Sequence, residues 1–312
     1  MPILINPEVL SHTYLPEKLL HRNNEKLHLS TNVKNSVCTF FYGPCGSGKT
    51  SLIKQVAKNF DSIKEKAVYI DCCLYHTTNS ILREALQGLG VPVFCRSNYD
   101  LLNKLKLKME KSKIIIFLDH FEKLKEHELI DKLLSLSLCV IVVSDAEDSL
   151  AMLSPSARSC IENFNMPKYS NSEAFGIIKD RAQRALKQGC YNNKLIKKIV
   201  DRSNGNIGLA INMLKSAALR AESENRVKIE EKDIPVYEPG LNHDERILLR
   251  ILKQWKTLPA SKLYDSYIQD TMHPKGDRSF RNYMKGLHDK GMVRAVGEKR
   301  ARMYEMVEDV TG

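Results

Sequence analysis

The stretch Gly43-Pro44-Cys45-Gly46-Ser47-Gly48-Lys49-Thr50 constrains this chain more than any other, because it fits the phosphate-loop pattern G-x-x-x-x-G-K-[ST] in its required setting. Asn35 to Tyr42 before it reads as a strand, and Ser51 to Phe60 after it reads as a helix. Glycines let the backbone wrap phosphates, while backbone N–H groups and the helix N-terminus supply positive potential. Lys49 is then placed to reach the terminal phosphates and the Thr50 hydroxyl to hold Mg²⁺. Gly43 through Ser51 are therefore the predicted contacts of ATP or ADP with Mg²⁺.

A chain of 312 residues exceeds what one hydrophobic core usually organises, so two or three domains are expected. With 43% hydrophobic residues it is a folded chain rather than a disordered one. Its net charge of +11 asks for an anionic partner larger than a nucleotide, with nucleic acid the leading reading and a solubility charge the alternative. Eight cysteines without a paired C-x-x-C framework or a targeting pattern suggest a reducing compartment. Cys72, Cys73 and His76 lack the usual zinc spacing, and a structural role is expected for the cysteines. No apolar run approaches the roughly 20 residues needed to cross a bilayer, so no membrane partner and a cytoplasmic, nucleoid-associated place are expected.

Along the chain, Leu15-Pro16 forces an extended turn, and Arg22 to Leu29 reads as an amphipathic helix that could lie against a nucleotide base or simply on the surface. Ala67 to Asp71 and Leu138 to Val143 read as buried strands. Lys113-Ile-Ile-Ile-Phe-Leu-Asp119 is a continuous apolar run, as a strand buried on both faces should be, and its terminal carboxylate suits Mg²⁺. Helices at Ser80 to Leu89 and Ser97 to Met109 alternate with these strands, giving an α/β doubly wound parallel sheet with the nucleotide at the strand ends. Residues 146–168 read as a polar connector carrying Arg158. From Ser172 the periodicity turns helical, at Ala174 to Lys187, Asn193 to Arg202 and Gly208 to Glu222, as in a small all-helical lid.

Beyond the Pro235 to Gly240 linker the order is three helices and a hairpin, which suits a winged helix-turn-helix. Its third helix carries Arg278, Ser279, Arg281, Asn282 and Lys285, and its turn carries Lys299, Arg300 and Arg302, residue types suited to phosphates and base edges. A basic helix can also be a plain solvated face, and winged helices also bind proteins; overall charge favours DNA. Domain limits of 1–168, 169–234 and 235–312 follow.

These segments together resemble the archaeal origin-recognition and replication-initiator AAA+ proteins along nearly the whole chain. Tyr14-Leu-Pro-Glu with Arg22 and Glu25 is similar to the family's entry to the adenine pocket, which implies that Leu15, Pro16 and Arg22 flank the base. Gly205-Asn206 with Ala210 resembles its second-sensor region. Three departures stand out. The family's catalytic Asp-Glu pair is here Asp119-His120, with Glu122 at the next acidic position; the first-sensor Asn is Asp145; and the second-sensor Arg is Gly208.

The resemblance implies an AAA+ phosphate-loop base, an all-helical lid and a C-terminal winged helix that bind ATP or ADP, Mg²⁺ and double-stranded DNA. Loss of a positioned base typically removes on the order of 10²–10⁴ in rate, so slow hydrolysis is expected. Asp119 keeps Mg²⁺, His120 is either a substitute base or a loss, and Arg158 lies just before the lid, where the family places its arginine finger, in a register offset from the family pattern. A replicative helicase or other initiator subunits are the implied protein partners. The competing reading is a nucleotide-sensing winged-helix regulator acting away from origins, and an active motor is disfavoured.

Overall fold

A parallel sheet covered on both faces needs apolar residues at successive strand positions, and Lys113–Asp119 and Cys139–Ser144 supply them. The computed structural model describes residues 2–11, 13–60, 65–235, 241, 243–271, 274–297 and 302–307. It divides into two compact units, Met1–Pro235 and Val236–Gly312.

In the first unit, β1 (Thr39–Tyr42), β2 (Glu65–Asp71), β3 (Lys113–Asp119), β4 (Cys139–Ser144) and β5 (Glu162–Asn165) form a parallel sheet in the order β2-β3-β4-β1-β5. Phe41, Ile115, Phe117, Ile141 and Val143 point to one face, closed by α1 (Asn23–Lys34) and α2 (Lys49–Asn59). Phe40, Ile70, Ile116, Leu118, Val140 and Val142 point to the other, closed by α3 (Thr78–Gly88), α4 (Asn98–Met109) and α5 (Leu129–Ser135). The period of two thus feeds two cores from one set of strands. Register sets Asp71 opposite Asp119 and Tyr42 opposite Ser144, so the loops that follow β1, β2, β3 and β4 meet at one end of the sheet.

The stretch expected as a polar connector, residues 146–168, holds structure of its own. It contains a 3-10 turn at Glu147–Met152, helix α6 (Pro155–Cys160) and β5, which pairs with β1 from Thr39 opposite Glu162 to Tyr42 opposite Asn165. β5 is an edge strand with largely exposed side chains, Glu-Asn-Phe-Asn. Polar residues are tolerated there because one edge and much of its surface face water, and that removes the apolar signature.

The helical part follows as α7 (Asn171–Ala185), α8 (Asn193–Ser203) and α9 (Ile207–Ser223). Ser170 and Glu173 form a capping box at the start of α7, and Asn192 and Asn206 cap the next two helices through Leu195 N and Leu209 N. The first residues of the chain join these helices rather than the sheet. Ile5 N and Asn6 N donate to Ala185 O at 2.8 and 3.1 Å, and Ile3 N and Leu4 N donate to Glu222 Oε1 at 2.5 and 2.8 Å.

The second unit runs α10 (His243–Trp255), β6 (Thr257–Pro259), α11 (Ala260–Asp270), α12 (Asp277–Asp289), β7 (Val293–Val296) and β8 (Met303–Met306). Its antiparallel sheet has the order β6-β8-β7. β6 adds a third strand to the expected hairpin. Three residues ending in proline give no strand signal, yet Pro259 is tolerated because β6 lies at the sheet edge. Leu248, Leu252, Leu263, Tyr267, Phe280, Met284, Leu287 and Tyr304 fill the core. Tyr267 is fully buried, and its hydroxyl donates to Asp244 Oδ1 at 2.7 Å while accepting Lys275 N at 3.0 Å, which ties the turn before α12 to α10.

Candidate nucleotide site and nucleic-acid face

The loop between β1 and α2 is shaped by glycines. Gly46 and Gly48 sit at φ 79° and 94°, where side chains are disfavoured. A Cβ at Gly43 would overlap Met166 O, one at Gly46 would overlap Asn206, and one at Gly48 would lie 2.9 Å from the Tyr169 hydroxyl. Gly46 O also accepts the amide of Ile207 at 3.2 Å, so the N-terminus of α9 touches the loop directly.

Lys49 is buried beneath this loop. Its Nζ donates to Gly43 O at 2.5 Å and Pro44 O at 3.1 Å, and it lies 2.8 Å from Asp145 Oδ1. Thr50 Oγ1 donates to Asp119 Oδ2 at 2.7 Å, and the Tyr69 hydroxyl donates to the same oxygen at 3.0 Å. Asp119 is 1% exposed, and its oxygens are satisfied by these donors and by the His120 amide at 3.0 Å from Oδ1. Burial, followed by the Asp119 charge, raises the Tyr69 phenol well above its ordinary range and pushes the Cys72 thiol up to about 12. Ser47 Oγ is buried and has no hydrogen-bond partner among the described residues, a cost that an added oxyanion or cation shell would remove. A cradle that a Cβ would fill, an orphaned hydroxyl and a Thr–Asp pair fit a nucleotide with Mg²⁺: Thr50 and Asp119 would hold the metal, and Lys49 with the loop amides the phosphates.

Arg22 is 2% exposed and braces the loop. Nε and Nη2 donate to Ser47 O at 3.3 and 3.2 Å, Nη2 to Pro167 O at 2.7 Å and Nη1 to Glu25 at 2.8 Å, with the guanidinium 3.7 Å from the Tyr169 ring centroid. Leu15 and Pro16 are half-buried, and Pro16 O accepts Gln55 Nε2 of α2 at 2.6 Å. Cys45 is exposed on the loop, and Ser51 is half-buried in the first turn of α2. Glu122 accepts the Ser144 hydroxyl at 3.0 Å, His120 Nδ1 lies 3.0 Å from Asp71 Oδ1, and Arg158 is exposed on α6. A Cβ at Gly208 would meet only Asn206 Oδ1 at 3.5 Å, so the position has room for a side chain. Tyr69 and Tyr169 are site residues that sequence reasoning missed, since only the chain's path brings them to the loop, while Asn206, named there as part of the second-sensor region, meets the loop at Gly46.

In the second unit, Phe280, Met284 and Leu287 turn one face of α12 inward, while Arg278, Arg281, Asn282 and Lys285 are exposed on the other and Ser279 is half-buried. Arg281 pairs with Asp277. Arg302 is exposed just before β8, and Arg294 on β7 adds an exposed cation that the sequence reading missed. Lys299 and Arg300 lie outside the described residues.

Residues 33–153 match the model of an AAA domain, and residues 175–236 match that of the Cdc6 AAA+ ATPase-type lid domain. The ORC1-type DNA replication protein 9 of Halobacterium salinarum is 24% identical over 96% of this chain and 93% of that protein. The chain is similar to the archaeal Cdc6/ORC1-type AAA+ proteins over nearly its whole length. Another relative, the ORC1-type DNA replication protein 1 of Archaeoglobus fulgidus, is 26% identical over 71% of this chain and 62% of its own length. Among solved structures, Cdc6p of Pyrobaculum aerophilum aligns with a TM-score of 0.66 at 21% identity over 97% of this chain and 94% of that one. The ORC1 protein of Aeropyrum pernix in complex with DNA aligns at 0.69 and 17% over 97% and 93%. The chain therefore shares their fold, with an AAA+ sheet and a helical lid.

Proposed function

We propose that this protein binds ATP or ADP with Mg²⁺ and grips double-stranded DNA as a replication initiator at origins, with slow hydrolysis. One observation carries the reading: the same chain combines a glycine cradle backed by the Thr50–Asp119 pair with a second unit of three helices and a three-stranded sheet whose α12 exposes Arg278, Arg281, Asn282 and Lys285, which supports a winged helix. Relatives named as ORC1-type DNA replication proteins, and the fold shared with an ORC1 protein in complex with DNA, support it.

Nucleotide charge is balanced by Lys49 and the α2 N-terminus, and Asn206 and Ile207 at the loop give the lid a way to respond to what the loop holds. The Asp119-His120 pair keeps the metal-holding carboxylate and lacks the water-activating one, which supports slow turnover. Arg158, exposed on α6, faces outward as a finger toward a neighbouring subunit requires. Other initiator subunits or a replicative helicase are the protein partners this reading calls for. A nucleotide-sensing regulator acting at promoters uses the same two parts, and the DNA site recognised distinguishes it.

The test is duplex binding across a salt series with and without ATP. A steep fall of log affinity with log salt, shifted by nucleotide, is expected. Flat salt dependence, or hydrolysis at several turnovers per second, would overturn the proposal.

A further inference from the structure

His120, standing where the family's glutamate is expected, closes a group of three chemically different donors. Asp71 ends β2, Cys73 lies in the turn after it, and His120 follows β3, whose in-register pairing with β2 sets Asp71 beside Asp119. A carboxylate oxygen, a thiol sulfur and an imidazole nitrogen, one from each, lie within 4.8 Å of one another. Among the described residues this is the one such group of His, Cys, Asp or Glu side chains. Asp71 and His120 are half-buried and Cys73 is exposed, so the group is open to solvent. Asp71 Oδ1 accepts the Cys73 amide at 2.9 Å, which folds the turn back so that the sulfur joins the carboxylate.

We propose that Asp71, Cys73 and His120 bind one thiophilic divalent cation of the zinc class, beside the Mg²⁺ position of Thr50 and Asp119, whose Oδ2 lies 3.9 Å from His120 Nδ1. Mg²⁺ takes oxygen ligands at octahedral geometry, whereas zinc takes sulfur, nitrogen and oxygen at tetrahedral geometry, and three protein ligands leave a fourth position to water. Cys72, whose adjacency to Cys73 lacks the usual zinc spacing, does not join the site and keeps the expected structural role, fully buried in the core beneath β2 and β3. A cation held here fixes the imidazole as a ligand and withdraws it from accepting a proton from water. The His120–Asp71 hydrogen bond alone would serve a base without any thiol, so the role of Cys73 separates the two readings.

The experiment uses the full chain stripped by chelator and titrated with Co²⁺ alone, followed by Zn²⁺. One Co²⁺ per chain with a thiolate charge-transfer band, displaced by Zn²⁺, is expected. Cys73→Ser removes the band, and His120→Ala weakens Co²⁺ binding by about tenfold or more. Metal-free Cys73→Ser keeps its melting temperature and ADP affinity; should its melt shift, Cys73→Ala carries the same test. Absence of Co²⁺ binding at millimolar metal, a band that survives Cys73→Ser, or binding indifferent to His120→Ala would each overturn the proposal.

Discussion

Asp145 Oδ1 lies 2.8 Å from Lys49 Nζ, so the cation of the phosphate loop is already paired with a carboxylate from the end of β4. A terminal phosphate must compete with that carboxylate for the same ammonium. The Asp145 side chain is 44% exposed, so solvent screens the pair and its worth is that of a surface ion pair, about 0.5–1 kcal/mol. Asp145→Asn is therefore expected to tighten ATP about two- to fivefold and ADP less. Equal gains for both nucleotides, measured by calorimetry, would place Asp145 away from the γ-phosphate.

Gly46 carries two constraints at once, a left-handed φ and the close approach of Asn206. Gly46→Ala should lower stability by roughly 1–3 kcal/mol and weaken nucleotide binding. Adding Asn206→Ala should recover part of that loss, because the overlap is relieved while the φ strain stays. Strictly additive melting shifts in the double variant would show that the two residues do not meet.

Tyr69 supplies one of the donors that satisfy the buried Asp119 carboxylate. Its replacement by Phe leaves shape and removes the donor, so a loss of about 1–2 kcal/mol in denaturant unfolding is expected. An unchanged midpoint would mean that water replaces the phenol.

Gly208 has room for a side chain and lies in the first turn of α9, which touches the loop. Gly208→Arg should fold normally, since the gain of up to about 1 kcal/mol from replacing a helical glycine offsets the roughly 0.3–1 kcal/mol that a cation costs at a helix N-terminus, and it should raise ATP affinity over ADP by adding a cation at the lid. A binding ratio that does not move would argue that this helix start points away from the γ-phosphate.

On α12, Arg278→Ala and Lys285→Ala should each reduce the salt slope of duplex binding by about 1 and leave nucleotide affinity intact. Arg281→Ala should do less, because Asp277 already partners Arg281. Salt slopes identical to that of the unchanged chain would move the DNA surface elsewhere.

The loop, the strands β3 and β4 and the lid helices were legible because each is announced by local physics: glycine punctuation before a lysine, unbroken apolar runs, and a helical period between caps. β5 and β6 were not. An edge strand of Glu-Asn-Phe-Asn and a three-residue strand ending in proline owe their conformation to the neighbours they pair with, and pairing over a long sequence separation leaves no mark in the residues themselves.

The sequence by itself determined that a phosphate cradle opens α2, that Asp119 ends a doubly buried strand, and that α12 turns a basic face outward, since loop chemistry and periodicity are properties of short stretches. Only the tertiary structure decided that Asp145 holds Lys49, that Asn206 lies on Gly46, and that Asp71, Cys73 and His120 converge. Those meetings arise from strand order and register, which align the ends of chain segments far apart in sequence, and no local pattern encodes that alignment.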